Sequence, residues 1–440
     1  MNSLRYILAL SVLSATNAFA GIADHVVRTK IAGVDVIAYP TAVKDVVTIY
    51  GSLPAGDAFA GEQHPDVATL TGMMLDKGTS TADKFAIAQQ LESVGATISF
   101  NVGAQTLGVR AKCLRKDTPT ILRLIVEQLR RPAFPAAEFE KAKRQLAGAL
   151  QRSLEDTDSR AAEAFARAVY PAGHPNRPAT TQEMLSALDH TELEDVKAFY
   201  AKYYGPAHFT LVIVGDLDLP KIQSQLRRDL AGWKGGVDAL RQARAGTAGG
   251  AREEKVAMAD KTSVSIVLGQ ASGLRYADAD SIPLRVGAAV LGSGFTGRLM
   301  QIVRDREGLT YGIGAYLDND TFTDGDWRVS GSFAPQLLDK GIASTRRELE
   351  RWWRDGITAD ELAARKTDLI GSYKVSLATT DGMASVMLRF IQRGKPLSWL
   401  DDYPKAVAAV TLEQVNGAIH KYLNPDKMVL VEAGTLPAAK

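Results

Sequence analysis

Apolar residues along the chain recur with two different periods. VVTIYGSL (Val46 to Leu53) and TISFNVG (Thr97 to Gly103) alternate apolar and polar positions, as expected of strands with one face packed and the other less buried. ADKFAIAQQLESVG (Ala82 to Gly95) instead spaces its apolar residues at helical intervals and stops at a glycine. Strands and helices of this kind alternate through the chain, which predicts an α+β fold with helices packed on sheets.

The pattern is written twice. LEDVKAFYAKYYGPAHFTLVIVGDL, Leu193 to Leu217, aligns without a gap to LEQVNGAIHKYLNPDKMVLVEAGTL, Leu412 to Leu436. Each half of that pair predicts an amphipathic helix, a Gly-Pro or Asn-Pro turn, then a buried strand ending at glycine. A second pair, EQLRRPAFPAAEFEKAKRQLAG from Glu127 and ERWWRDGITADELAARKTDLIG from Glu350, recurs at nearly the same offset. Between them GGVDALRQARAGTAGGARE loses all periodicity, which marks a linker over residues 235–253. The expected organisation is therefore a first domain over 21–234 and a second, homologous one over 254–440, facing each other across the linker.

Composition narrows the partners. The 52 Lys and Arg against 50 Asp and Glu leave no global field that would draw the chain to nucleic acid or an acidic membrane. Residues 1–20, MNSLRYILALSVLSATNAFA, combine Arg5, an apolar run and the ending Ala18-Phe19-Ala20. This predicts a secretory signal cleaved after Ala20, and hence a periplasmic or secreted protein; no later apolar run reaches the ~20 residues of a membrane span. Cys113 is the sole cysteine, so stability in an oxidising compartment rests on packing.

GSLPAGDAFAGEQHPDVATLTGMMLDKGTST, the repeat, the export signal and the second-half motif described below together resemble the M16 peptidase family, of the pitrilysin and mitochondrial-processing-peptidase type. The resemblance spans essentially the whole mature chain. It implies two homologous α/β-sandwich domains of the LuxS/MPP-like metallohydrolase fold. Active members carry HxxEH on a first-half helix, two histidines for zinc and a glutamate to activate water. Here those positions fall on Ala68, Thr71 and Gly72, and the region of the further glutamate ligand on Gly148, Ala149 and Leu150. None of these can ligate a metal. His25, His64, His174, His190, His208 and His420 have no metal-ligand spacing, and His64, nearest the motif, is expected as a solvated residue at a helix start.

The second half retains more. LGSGFTGRLMQIVRDREGLTYGIGAYLD, Leu291 to Asp318, predicts a glycine-rich turn, a helix from about Gly297, a break at Gly308 and a strand from Thr310. Arg304 and Tyr311 carry the seven-residue spacing of a family pair understood to contact substrate and reaction centre opposite the zinc. Arg304 can donate a two-pronged hydrogen bond, and Tyr311 can donate to an oxygen gaining charge. An arginine complementing a helix dipole and a tyrosine in a core would fit the same residue types. Arg298 and Arg306 lie nearby. The turn lacks the Lys-Ser or Lys-Thr of a phosphate loop; by resemblance Gly292, Gly294 and Gly297 belong to substrate handling.

The resemblance implies a non-catalytic, substrate-binding subunit of a heteromeric M16B-type metallopeptidase. A partner retaining HxxEH would bring the zinc, with no cofactor in this chain, and the two would pair as a heterodimer or a larger assembly. A peptide or unfolded polypeptide would add to the sheet edge expected within Gly95 to Ala111, where Thr97 and Ser99 stand. The alternative is an inactive pseudopeptidase that binds peptide or scaffolds a complex. No GxSxG elbow is present, and Cys113 in VRAKCL is expected to be an inert thiol.

Overall fold

The computed structural model describes residues 21–241 and 251–436; the expected signal segment lies outside them. The first half runs β1 (Val27–Ile31), β2 (Val34–Pro40), β3 (Val46–Leu53), α1 (Val67–Met74), α2 (Lys84–Glu92), β4 (Thr97–Val102) and β5 (Leu107–Leu114). It continues through α3 (Thr118–Arg130), α4 (Ala136–Leu154), α5 (Thr157–Val169), α6 (Thr181–Leu188), α7 (Leu193–Tyr203), β6 (Thr210–Gly215) and α8 (Leu219–Asp229). The second half comprises β7 (Arg252–Ala257), β8 (Val264–Ala271), α9 (Ser281–Gly292), a helical segment over Met300–Arg306, β9 (Thr310–Asp318) and β10 (Asp326–Phe333). Then come α10 (Leu338–Asp355), α11 (Ala359–Ser376), α12 (Thr380–Gln392), α13 (Trp399–Ala409), α14 (Leu412–Tyr422) and β11 (Val429–Gly434).

Two mixed sheets result, ordered β1-β2-β6-β3-β5-β4 and β7-β11-β8-β10-β9. Each has one parallel pair, β2 with β6 and β7 with β11, and is otherwise antiparallel. β4 and β9 occupy matching free edges. The aligned repeats become α7 then β6, and α14 then β11. α11 and α14 start at capping boxes, Thr358 with Glu361 and Thr411 with Gln414, so the sequence itself sets these boundaries. β7 opens at Arg252, so the last two residues of the expected linker pair with β11.

The halves interlock. α5, from the first half, lays Ala161, Phe165 and Val169 on Val267, Ala271 and Val431 of the second sheet. Its counterpart α12 lays Met383, Met387 and Phe390 on the face of the first sheet that presents Ile37, Val212 and Val214. Each sheet thus has its own helices on one face and a borrowed helix on the other, because an apolar sheet face must be covered. Buried polar pairs tie this junction: Thr48 Oγ1 and Thr380 Oγ1 lie 2.9 Å apart, and Tyr170 OH donates to Asp326 Oδ2 at 2.7 Å. Among the described residues no helix is long and apolar enough to cross a membrane.

Candidate functional site

Ala68, Thr71 and Gly72 lie on α1, fully enclosed in the first core. Thr71 Oγ1 donates to Val67 O one turn back at 2.7 Å, which leaves its hydroxyl spent inside the helix. A Cβ on Gly72 would come 2.4 Å from Val102 Cγ2 of β4, so the edge strand's side chain fills the space a ligand would need. On α4, Leu150 is buried in the same core and Gly148 and Ala149 offer no donor atom. The donor set does not fit zinc. Among the described residues no three His, Cys, Asp or Glu side chains converge in a way that could hold a metal.

His64, expected as a solvated residue, is half-buried and also engaged in a hydrogen bond. Its Nδ1 lies 2.9 Å from Thr191 Oγ1, whose hydroxyl in turn reaches Asp66 Oδ1 at 3.0 Å. The chain His64, Thr191, Asp66 pins the start of α1 to the segment before α7, and burial raises the Asp66 carboxyl above its usual range. Cys113 is buried and its thiol is pushed up to about 11 by that burial, the behaviour of an inert thiol.

Arg304 and Tyr311 come together. The segment Met300–Arg306 winds as a π-helix: the Glu307 N–H donates to Ile302 O, five residues back, at 3.0 Å. The widened turn ends at Gly308 (φ +64), where β9 begins two residues on. Arg304 Cζ then sits 5.2 Å from the Tyr311 ring centre and 4.9 Å from that of Phe295, so the guanidinium is held between two aromatic faces. Both rings are open to solvent, Tyr311 88% and Phe295 69% exposed. Tyr311 is therefore no core residue. Among the described residues no carboxylate lies within ion-pair distance of Arg304, which leaves its N–H groups free for a ligand. Arg298, by contrast, is committed to Glu361 through two bonds of 2.7 Å.

The three glycines separate. Gly292 ends α9 with its Cα against β9, where a Cβ would meet Ala315 N at 2.0 Å, so close packing dictates it. Gly297 is buried beside the Ser293 backbone. Gly294 is exposed, adopts φ +64 and has open space around it. Thr97 and Ser99 project from the exposed face of edge strand β4, paired with Lys112 and Arg110 of β5.

Sequence reasoning missed Phe295, since a lone aromatic in a turn carries no positional signal. It also missed Asp57 and His174, which line a 920 Å³ cleft at the junction of the halves. Burial pushes the Asp57 carboxyl up to about 6, against a stabilising bond from Thr69 Oγ1 at 3.0 Å. His174 is enclosed; Asn176 N–H donates to its Nδ1 at 3.1 Å, which leaves the proton on Nε2, facing Asp324 Oδ1 at 3.2 Å. It is a strut between the halves.

The architecture is thus two α+β halves, each sheet covered on one face by a helix lent from the other half. The description "Insulinase (Peptidase family M16)" matches residues 36–180, and "Peptidase M16 inactive domain" matches residues 191–369. The chain belongs to the M16 peptidase family. Similar proteins include the Helicobacter pylori "Non-peptidase homolog YmxG", 23% identical over 380 residues covering 84% of this chain and 85% of that one. The Bacillus subtilis "Uncharacterized zinc protease YmxG" is 24% identical over 370 residues, covering 83% and 88%. Among solved structures, a peptidase M16 inactive domain from Pseudomonas fluorescens superposes with TM-score 0.86 at 24% identity, covering 94% of this chain and 99% of that one. The periplasmic protease PqqL from Escherichia coli superposes with TM-score 0.76 at 15% identity, with 95% of this chain matching 46% of it.

Proposed function

We propose that this chain is the non-catalytic, substrate-binding subunit of a periplasmic M16B-type peptidase assembly. A partner carrying HxxEH holds the zinc and the general base, while this chain contributes Arg304 and Tyr311 to the shared site. The observation that carries this reading is the half-buried, unpaired Arg304 held between the exposed rings of Phe295 and Tyr311 beside a free sheet edge. Two cation–π contacts of about 0.5–1 kcal/mol each at an exposed site hold the guanidinium without consuming its donors. The Arg304 fork then binds peptide carbonyls or a carboxylate, and the Tyr311 hydroxyl donates to an oxygen on which charge develops. Gly294 lets the substrate backbone approach closely, and extended polypeptide adds to the β4 edge beside Thr97 and Ser99. Export is supported by the first twenty residues of the sequence and by the description of the Escherichia coli neighbour as periplasmic.

A second reading, a pseudopeptidase that binds peptide without any cleaving partner, is favoured by the description of the Helicobacter pylori relative as a non-peptidase homologue. Affinity purification of the tagged chain from its native host, followed by metal analysis and mass spectrometry, separates the two. The subunit reading expects a stoichiometric HxxEH chain that brings the zinc with it. Recovery of this chain with peptide but no such partner favours the scaffold, and zinc bound to this chain alone refutes both.

A further inference from the structure

A second cavity, of 400 Å³, lies where α9, α11, α12 and α13 meet the free edge of β9. Its size falls within the roughly 300–1,000 Å³ of small-ligand sites. Its wall is unusual in charge: Arg285, Arg389 and Arg393 line it, and no Asp or Glu does. The Tyr276 ring is clamped between two of these cations, 5.0 Å from Arg285 Cζ and 4.0 Å from Arg393 Cζ. One carboxylate outside the lining serves both: Asp320 is ion-paired to Arg285 and stands 3.7 Å from Arg393. Arg389 is exposed, and among the described residues it has no acid within ion-pair distance. Two guanidinium groups thus share one carboxylate, and the third has none within ion-pair distance among the described residues. Burial, and next the neighbouring Arg285 charge, pull the Arg393 guanidinium below its ordinary range. The remaining wall is mainly apolar, aliphatic residues such as Leu369 and Val386 joined by Tyr316, Tyr403 and Phe390.

Positive charge in excess over an apolar floor of mixed aliphatic and aromatic residues is the complement of an anion with an apolar body. Guanidinium forks match a carboxylate's two oxygens in geometry as well as charge. We infer that this cavity is a binding site for a small carboxylate bearing an aromatic or aliphatic group, as presented by the C-terminal residue of a peptide or by a free organic acid. Arg389 supplies the direct contact, Arg393 and Arg285 the field, and the remaining wall the apolar contact. The site lies on the flank of β9, whose first residues carry Tyr311, and a peptide's end could be held there while its body runs along the strand edge. The inference goes beyond the proposed function and needs neither the partner chain nor the Arg304–Tyr311 pair.

Calorimetric titration of the purified full chain tests it with three probes: N-acetyl-Ala-Ala-Phe as the free acid, the same peptide as its C-terminal amide, and 3-phenylpropionate. The acid is expected to bind at least about tenfold tighter than the amide, the worth of one charge-assisted hydrogen bond. Arg389→Gln, which breaks no ion pair, is expected to lose at least that factor for the acid with an unchanged unfolding midpoint. If 3-phenylpropionate matches the peptide acid, the ligand is a free organic acid; if it binds tenfold more weakly, the ligand is a peptide terminus. Absence of binding up to millimolar concentration, equal binding of acid and amide, insensitivity to Arg389→Gln, or binding of inorganic phosphate in preference to all three overturns the proposal.

Discussion

Gly72 of α1 and Val102 of β4 are packed so closely that a Cβ on the glycine would stand 2.4 Å from the valine Cγ2. The position that the family resemblance assigns to a metal-ligating histidine is thus filled by the edge strand itself.

Gly72→Ala should therefore destabilise the protein by about 1–3 kcal/mol, the usual cost of overpacking. Val102→Ala, introduced together with it, should recover most of that loss. Chemical denaturation of the three variants measures the coupling; additive effects would contradict the packing.

Asp57 makes stability depend on pH. Its folded carboxyl is raised to about 6 by burial, while in the unfolded chain it titrates near ~3.9. Between those values the folded state holds a proton that the unfolded state has released, so this group's penalty, in full at neutral pH, is relieved as the pH falls. Asp57→Asn should be more stable than the parent by up to about 3 kcal/mol at pH 7, and the two should converge near pH 4. A gap independent of pH would exclude the effect.

The ion pair of Asp326 with Arg328 is buried, with bonds of 2.5 and 2.7 Å, and Asp326 also accepts from Tyr170 across the junction of the halves. Asp326→Ala leaves the buried guanidinium with only the exposed Asp318, 4.0 Å away, and should cost about 3–5 kcal/mol in urea unfolding. Replacing both partners by apolar residues of similar volume should cost less than the single change.

Much of this was legible in the sequence because it is local. The repeats around Leu193 and Leu412 became α7 with β6 and α14 with β11, since their period, caps and turn residues lie within each segment. The arginine and tyrosine separated by a short helix end and a glycine break were also brought together. What could not be read depends on distant contacts. The lending of α5 and α12 between sheets is invisible, because an amphipathic helix does not say which sheet its apolar face meets. Phe295 joins Arg304 only through the path of the turn, His64 reaches Thr191 across 127 residues, and the three arginines beside β9 come from α9, from α12 and from the residue that ends α12.

Turnover of a fluorogenic peptide by the reconstituted pair, this chain with the HxxEH partner proposed for it, tests the central claim most directly. Arg304→Ala or Tyr311→Phe in this chain should lower kcat by ~10²-fold while the pair still co-elutes on gel filtration, as expected for a lost donor to developing charge. Full activity with both residues replaced would show that the pair takes no part in the reaction.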